Sequence, residues 1–133
     1  MPPRFRQLTF QLIAIGLAIL AFPQLTRAAG DPAYGKLLYF ECSGCHALGT
    51  NKTGPKLCGL IGRPAASIAD FAYSDAMRAS GLVWDEKTLD EYLAAPFKKV
   101  PETRMEYFGF PDAEDRFEMI EHLKVITDPS KCG

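Results

Sequence analysis

Cys42-Ser43-Gly44-Cys45-His46 is the stretch whose reading decides the fold of this 133-residue chain. Cys-x-x-Cys-His is the pattern on which haem is covalently attached. On one helical turn the two thiols can form thioethers to the two vinyl groups of a single porphyrin, and the adjacent imidazole then lies over the iron. Attachment and one axial ligand thus come from five residues.

Two other readings compete for the same cysteines. A thiol-disulfide oxidoreductase places Cys-x-x-Cys at a helix N-terminus after a strand, where the thiol pKa falls. Here Ala33 to Glu41 reads as helix, and the chain beyond it lacks the alternation of a strand protein. A zinc site needs four ligands at tetrahedral spacing, whereas Cys58, His122 and Cys132 are scattered singly.

Arg4 and Arg6 precede an apolar run from Leu12 to Phe22, broken by Gly16 and followed by Pro23. Residues 1–28 read as a secretory signal, with cleavage after Ala28 in Thr26-Arg27-Ala28 and Ala29 as the next choice. The run of 11 residues is well short of the roughly 20 that a spanning helix requires, so no stable membrane insertion is expected after cleavage. Phe5 separates the two arginines, which excludes a twin-Arg signal. The expected destination is the periplasm, with haem acquired there; the secretory signal argues against the mitochondrial intermembrane space.

Cleavage leaves 105 residues, 29–133, enough for one domain with a thin core. Loss of Arg4, Arg6 and Arg27 turns 15 basic against 16 acidic residues into 12 against 16, a net charge of −4, which disfavours nucleic acid as a partner. From Leu48 to Ser67 the chain carries Gly49, Gly54, Pro55, Gly59, Gly62 and Pro64, and a loop that long suits a compact domain when it wraps something. The cofactor is the natural thing to wrap.

The helix signals are consistent. Asp31 and Pro32 open a helix running to about Cys42, with Gly35 and Tyr39 on one face. Ser74 or Asp75 caps a short helix that stops at Gly81. Asp85 caps Glu86 to Ala94, which Pro96 terminates. Asp112 opens the last helix, to about Thr127, with Glu114 and Asp115 in its first turn and an apolar stripe of Met119, Ile120, Leu123 and Ile126. The expected fold is all-α, with first and last helices packed together and short helices and long loops enclosing one haem.

A sixth ligand must come from Met77, Met105, Met119 or His122, and position selects Met105. Met119 and His122 belong to the last helix and Met77 to a short one. Met105 sits in the loop Pro101-Glu102-Thr103-Arg104-Met105, followed by Tyr107, Phe108 and Phe110, which suit the porphyrin edge. A thioether is a soft, neutral ligand that favours Fe(II) and raises the potential.

At this point the chain resembles class I cytochrome c, the mitochondrial protein and its soluble bacterial relatives. Beyond the attachment motif, the resemblance rests on Thr53-Gly54-Pro55-Lys56-Leu57, Gly59-Leu60-Ile61-Gly62-Arg63, Phe71-Ala72-Tyr73-Ser74-Asp75-Ala76, Gly81-Leu82-Val83-Trp84, Leu89-Asp90-Glu91-Tyr92-Leu93 and the Met105 loop. It implies that the Pro55 carbonyl accepts the other ring N–H of His46. It also implies that Tyr73 and Trp84 hydrogen-bond the propionates with Arg63 nearby, and that Tyr92 and Thr103 lie beside Met105.

The chain departs from the family in places. Glu102 replaces a usual glycine, Met77 stands where mitochondrial proteins have an asparagine, and the His46–Pro55 loop is shorter by about three residues than the mitochondrial one. Where the family carries lysines around the haem edge, this chain has Glu41, Glu106 and Asp112. Lys36, Lys52, Lys98, Lys99 and Arg104 remain, so steering toward an acidic partner is expected to be weaker than in the family.

Cys58 and Cys132 remain, an even pair in an oxidising compartment, and a disulfide tying the C-terminal tail to the loop near Gly59 is expected. The reading in sum is a soluble, monomeric, periplasmic mono-haem carrier and not an enzyme. It moves single electrons between redox protein partners, with Cys42 and Cys45 attaching haem c and His46 and Met105 binding iron. The alternatives are a haem-based small-ligand sensor or peroxidase-like protein with a labile Met105, and the thiol-disulfide oxidoreductase.

Overall fold

The computed structural model describes residues 30–132, so the expected signal segment and its cleavage site lie outside the described residues. Helix α1, Pro32–Ser43, begins where Asp31 accepts the Ala33 N–H at 2.9 Å and Pro32 fixes the first helical φ. After α1 the Cys45 and His46 amides both donate to the Cys42 carbonyl, at 3.1 and 2.9 Å. That tight turn carries the attachment motif out of the helix.

Helix α2, Asp75–Ala79, is capped by the Ser74 hydroxyl, which accepts the Met77 N–H at 3.1 Å. Asp85 caps α3, Glu86–Ala94, by accepting the Thr88 N–H at 2.7 Å. Pro96, expected only to stop α3, also opens α4, Pro96–Lys99, after a break at Ala95 with φ −161° and ψ 83°. The reason is that a proline has no N–H to satisfy at a first helical turn, so the residue that ends one helix suits the start of the next. Helix α5, Ala113–Ile126, starts at Asp112 and is followed by a single 3-10 turn, Pro129–Lys131.

Helices α1 and α5 pack together at Gly35. A Cβ there would stand 2.7 Å from the Glu118 carbonyl oxygen and 2.8 Å from His122 Cβ, so glycine is what lets the two backbones approach this closely. Met119, fully buried, and Leu123 fill the contact from α5, while Tyr39 lays its ring against His122 at 5.6 Å. Arg116 Nε donates to Asp90 at 2.7 Å and ties α5 to α3. Leu89, Tyr92 and Leu93 of α3 are buried in the same core.

The architecture is all-α, as expected. Among the described residues, one isolated antiparallel β-bridge joins Pro64 to Val83. Around it, Gly62 N–H donates to the Trp84 carbonyl at 2.9 Å and Trp84 N–H to the Arg63 carbonyl at 3.0 Å. These bonds peg the long loop after His46 to the segment before α3, so that it curves round a cavity.

Candidate haem site

The helices and the long loop enclose a cavity of about 630 Å³. Cofactor cavities generally measure about 300–1,000 Å³. Cys42, Cys45, His46, Pro55, Arg63, Tyr73, Trp84, Tyr92, Thr103 and Met105 all line it, brought together from loops and helices across the domain. Of the three ligand candidates set aside on sequence, Met119 and His122 do not line it, whereas Met77 does.

On one wall, His46 Nδ1–H donates to the Pro55 carbonyl at 2.8 Å, which fixes the tautomer and leaves Nε2 as the free lone pair. Burial holds the His46 pKa below the ordinary histidine value; Pro55 opposes this and Lys52 reinforces it. The imidazole is therefore neutral and suited to a metal. Gly54 lies flat against it: a Cβ on Gly54 would stand 2.7 Å from Nε2 and 2.8 Å from Nδ1. Its own N–H donates to the Cys45 carbonyl at 2.8 Å, closing the loop back on the attachment motif.

Burial, then Glu41 and Cys45, pushes the Cys42 thiol up to about 11. A disulfide oxidoreductase needs the opposite shift. Among the described residues no group of three His, Cys, Asp or Glu could hold a metal ion, which leaves the zinc reading without ligands. What the cavity offers instead is two thiols and an imidazole on one turn beside a largely apolar space. That donor set fits a covalently attached porphyrin.

Met105 lies in the cavity lining at the end of a short hydrogen-bonded chain. The Tyr92 hydroxyl and Thr103 Oγ1 are 2.9 Å apart, both buried, and Thr103 Oγ1 accepts the Met105 N–H at 3.3 Å. Trp84 packs edge-on against Tyr92 with ring centroids 5.0 Å apart. Arg63 donates to the carbonyls of Cys58 and Lys56, at 2.6 and 3.1 Å, so it braces the loop as well as lining the cavity. Cys58 and Cys132 come within disulfide distance, their Cα atoms 5.7 Å apart.

Among the lining residues that the sequence reading did not place in the site set are Glu41, Gly54, Met77 and Tyr107. Gly54 was visible within Thr53-Gly54-Pro55, and its steric role appears once the His46 ring is placed. Tyr107 and Glu41 are 66 positions apart and are joined only by folding. Met77 contributes a second thioether to the wall, buried within α2.

The chain is 47% identical over 107 residues to cytochrome c2 of Rhodoblastus acidophilus, an alignment covering 77% of this chain and all of that protein. It is 38% identical to cytochrome c2 of Blastochloris viridis, over 90% of this chain and 97% of the relative. With cytochrome c of Tetrahymena pyriformis it shares 41% identity over 78% of this chain and 96% of that one. Among solved structures, cytochrome cH from Methylobacterium extorquens matches with a TM-score of 0.69 at 41% identity, covering 72% of this chain and 99% of that chain. No family model matches. A cavity with this donor set in an all-α fold, together with relatives at these identities, defines the class: the chain belongs to the class I c-type cytochromes. Within it, the chain is a mono-haem electron carrier, not an enzyme, with one haem c attached covalently at Cys42 and Cys45.

Proposed function

We propose that this is an exported periplasmic carrier whose iron is held between His46 and Met105, and which passes single electrons between two redox proteins as a monomer. The observation that carries the reading is the pairing, on one cavity, of a His46 imidazole whose Nδ1 is committed to Pro55 with a Met105 fixed through Thr103 and Tyr92. When bound, the haem supplies an iron that exchanges one electron between Fe(III) and Fe(II).

The chain's own part is to hold still. His46 stays neutral and oriented by Pro55; Thr103 and Tyr92 position the Met105 backbone; Trp84, Leu57 and Leu60 exclude water. Rigid ligands mean little rearrangement on electron transfer. Tyr73, Trp84 and Arg63 are assigned to the propionates, Tyr73 with its hydroxyl pKa raised chiefly by burial and lowered by Arg63. Cys58 and Cys132 are assigned a disulfide. Residues 1–28 are assigned to the signal; the Blastochloris viridis alignment, at 90% of the chain, reaches further than residues 29–133 extend.

Glu41, Glu106 and Asp112 around the site leave a net −4 mature chain without the basic ring that suits an acidic partner. The partner's docking face is accordingly less acidic than is usual for the family. Carbon monoxide is the decisive probe. A reduced native protein that does not bind it at neutral pH supports His46/Met105 ligation; rapid binding would replace the carrier reading with the labile-ligand one.

A further inference from the structure

Phe108 was expected at the porphyrin edge, yet it does not line the cavity and is 93% exposed. Its ring stands instead beside Phe97 of α4, 43% exposed, with centroids 6.4 Å apart. Single exposed apolar side chains are ordinary, but two neighbouring rings beside a cofactor cavity form a patch. The backbone holds that patch out. On one side of Phe108, Tyr107 donates to Glu41 across the rim. On the other, Gly109 at φ +103° lies against the end of α3, where a Cβ would stand 2.6 Å from the Ala94 carbonyl oxygen. Phe110 N–H donates to the Leu93 carbonyl at 2.7 Å, and its buried ring rests on Tyr107 with centroids 5.2 Å apart. Phe108 is thus presented from a pinned loop, at little further ordering cost on binding.

Charge around the patch is close to balanced. Lys98 and Lys99 of α4 and Arg104 stand against Glu102, Glu106 and Asp112, with Glu41 across the rim. Several are already engaged: Lys99 with Glu91, Arg104 with the Ala72 carbonyl, and the Asp112 carboxylate with the Glu114 and Asp115 amides. Neither a strongly acidic nor a strongly basic surface is favoured here, which leaves burial of the two rings to orient a partner. An aromatic side chain buries about 150–250 Å². The pair falls well short of the roughly 800 Å² that each partner gives to a stable complex, and it matches the small contacts of transient electron transfer.

We propose that Phe97 and Phe108 are the anchor on which a redox protein with an apolar, weakly charged docking face seats beside the haem. The inference rests on the carrier reading above and adds to it the chemistry of the partner's surface. Burying the rings excludes water between the two proteins, and the small area lets them part after one electron has passed.

The test uses the exported holoprotein and gold electrodes whose alkanethiol monolayers stand in for the partner's face: one mixed methyl- and hydroxyl-terminated, one carboxylate-terminated and one amine-terminated. A soluble mediator first establishes whether the haem exchanges one electron reversibly; failure there overturns the carrier reading and the proposal with it. Given that exchange, the apolar monolayer should bind the protein most tightly, with little change between about 0.01 and 0.3 M salt. Phe97→Ser and Phe108→Ser should each weaken that binding about 5- to 30-fold and lower the direct electron current to match. Val125→Ser, at an exposed apolar position of α5 outside the cavity lining, should change neither. Urea midpoints confirm that the variants are folded, which the exposure of Phe108 favours. Equal binding by Phe108→Ser and the unaltered protein, or tightest binding to either charged monolayer, overturns the proposal alone. So does self-association in sedimentation that is lost in Phe108→Ser, which would make a second copy the occupant. Binding to neutral phosphatidylcholine vesicles that is lost in Phe108→Ser would overturn it in favour of a lipid surface.

Discussion

The Tyr107 hydroxyl donates a 2.7 Å hydrogen bond to Glu41 Oε2, linking the residue just before Cys42 to the residue two beyond Met105. Both line the haem cavity, and their bond lies at its solvent-exposed rim. Burial, followed by the Glu41 carboxylate, raises the Tyr107 pKa, so the group stays a hydroxyl and keeps donating. The bond therefore ties the proposed ligand loop to the attachment side. Tyr107→Phe is expected to free that loop enough for imidazole to bind the oxidised protein about three- to tenfold more tightly. Equal affinities in the two proteins would show that the bond does not restrain Met105.

Gly54 should tolerate no side chain. The overlap of a new Cβ with the His46 ring cannot be relieved by a flexible tip, since the ring is pinned by Pro55. Gly54→Ala is expected to destabilise the holoprotein by about 3 kcal/mol, near the upper end for overpacking. Yield of haem-bearing exported protein and the urea midpoint measure it; a midpoint shift equivalent to under about 1 kcal/mol would mean the loop moves aside.

Glu102 sits at φ +65°, in the left-handed region that favours glycine, and it is the position where the family has one. A non-glycine residue there costs about 1–2 kcal/mol. Glycine would add about 0.4–1 kcal/mol of unfolded-state entropy. Glu102→Gly should therefore stabilise the protein by about 0.5–1 kcal/mol, read from the denaturant midpoint at unchanged slope. A loss of stability would mean that the Glu102 side chain contributes more than its backbone strain costs.

The proposed Cys58–Cys132 bridge closes a sequence separation of 74 residues. By the chain-entropy model, a closed loop of this size constrains the unfolded state by about 4 kcal/mol. Replacing both cysteines by serine should lower stability by an amount of that order, mostly through the unfolded chain. Alkylation of the unfolded, unreduced parent should label neither thiol, and labelling of both would remove the bridge from the account.

His122 supplies a pH dependence of known sign. Burial, then Lys36, holds its pKa below the ordinary 6.5. As pH falls through that value the unfolded chain takes the proton first, so the stability present above it is progressively lost below. Urea midpoints measured from pH 7.5 down to 5.5 should fall less in His122→Gln than in the parent. His122 is half-buried, so the difference is small; parallel curves would assign the acid limb to carboxylates.

Local chemistry made much of the fold legible. Asp31-Pro32, Ser74, Asp85 and Asp112 announce helix starts because each acts on amides two or three residues away, and the helices begin there. The start of α4 at Pro96 was missed because a proline after a helix signals a stop and a start with the same ring. Site residues grouped in short motifs were readable for the same reason, whereas the steric demand on Gly54 required the position of the His46 ring.

By itself the sequence determined the starts of α1, α2, α3 and α5 and the attachment motif, and it raised the expectation of Met105 over the helical Met119 as ligand, since each depends on neighbours within a few positions. Tertiary structure alone decided that Glu41 meets Tyr107, that Gly35 takes the α1–α5 crossing, that Met77 enters the cavity wall and that Glu118 is left facing the chain at Gly30. Those relationships join residues far apart in the chain. Which side chains meet at such distances is set by how the helices pack, and no local propensity encodes it.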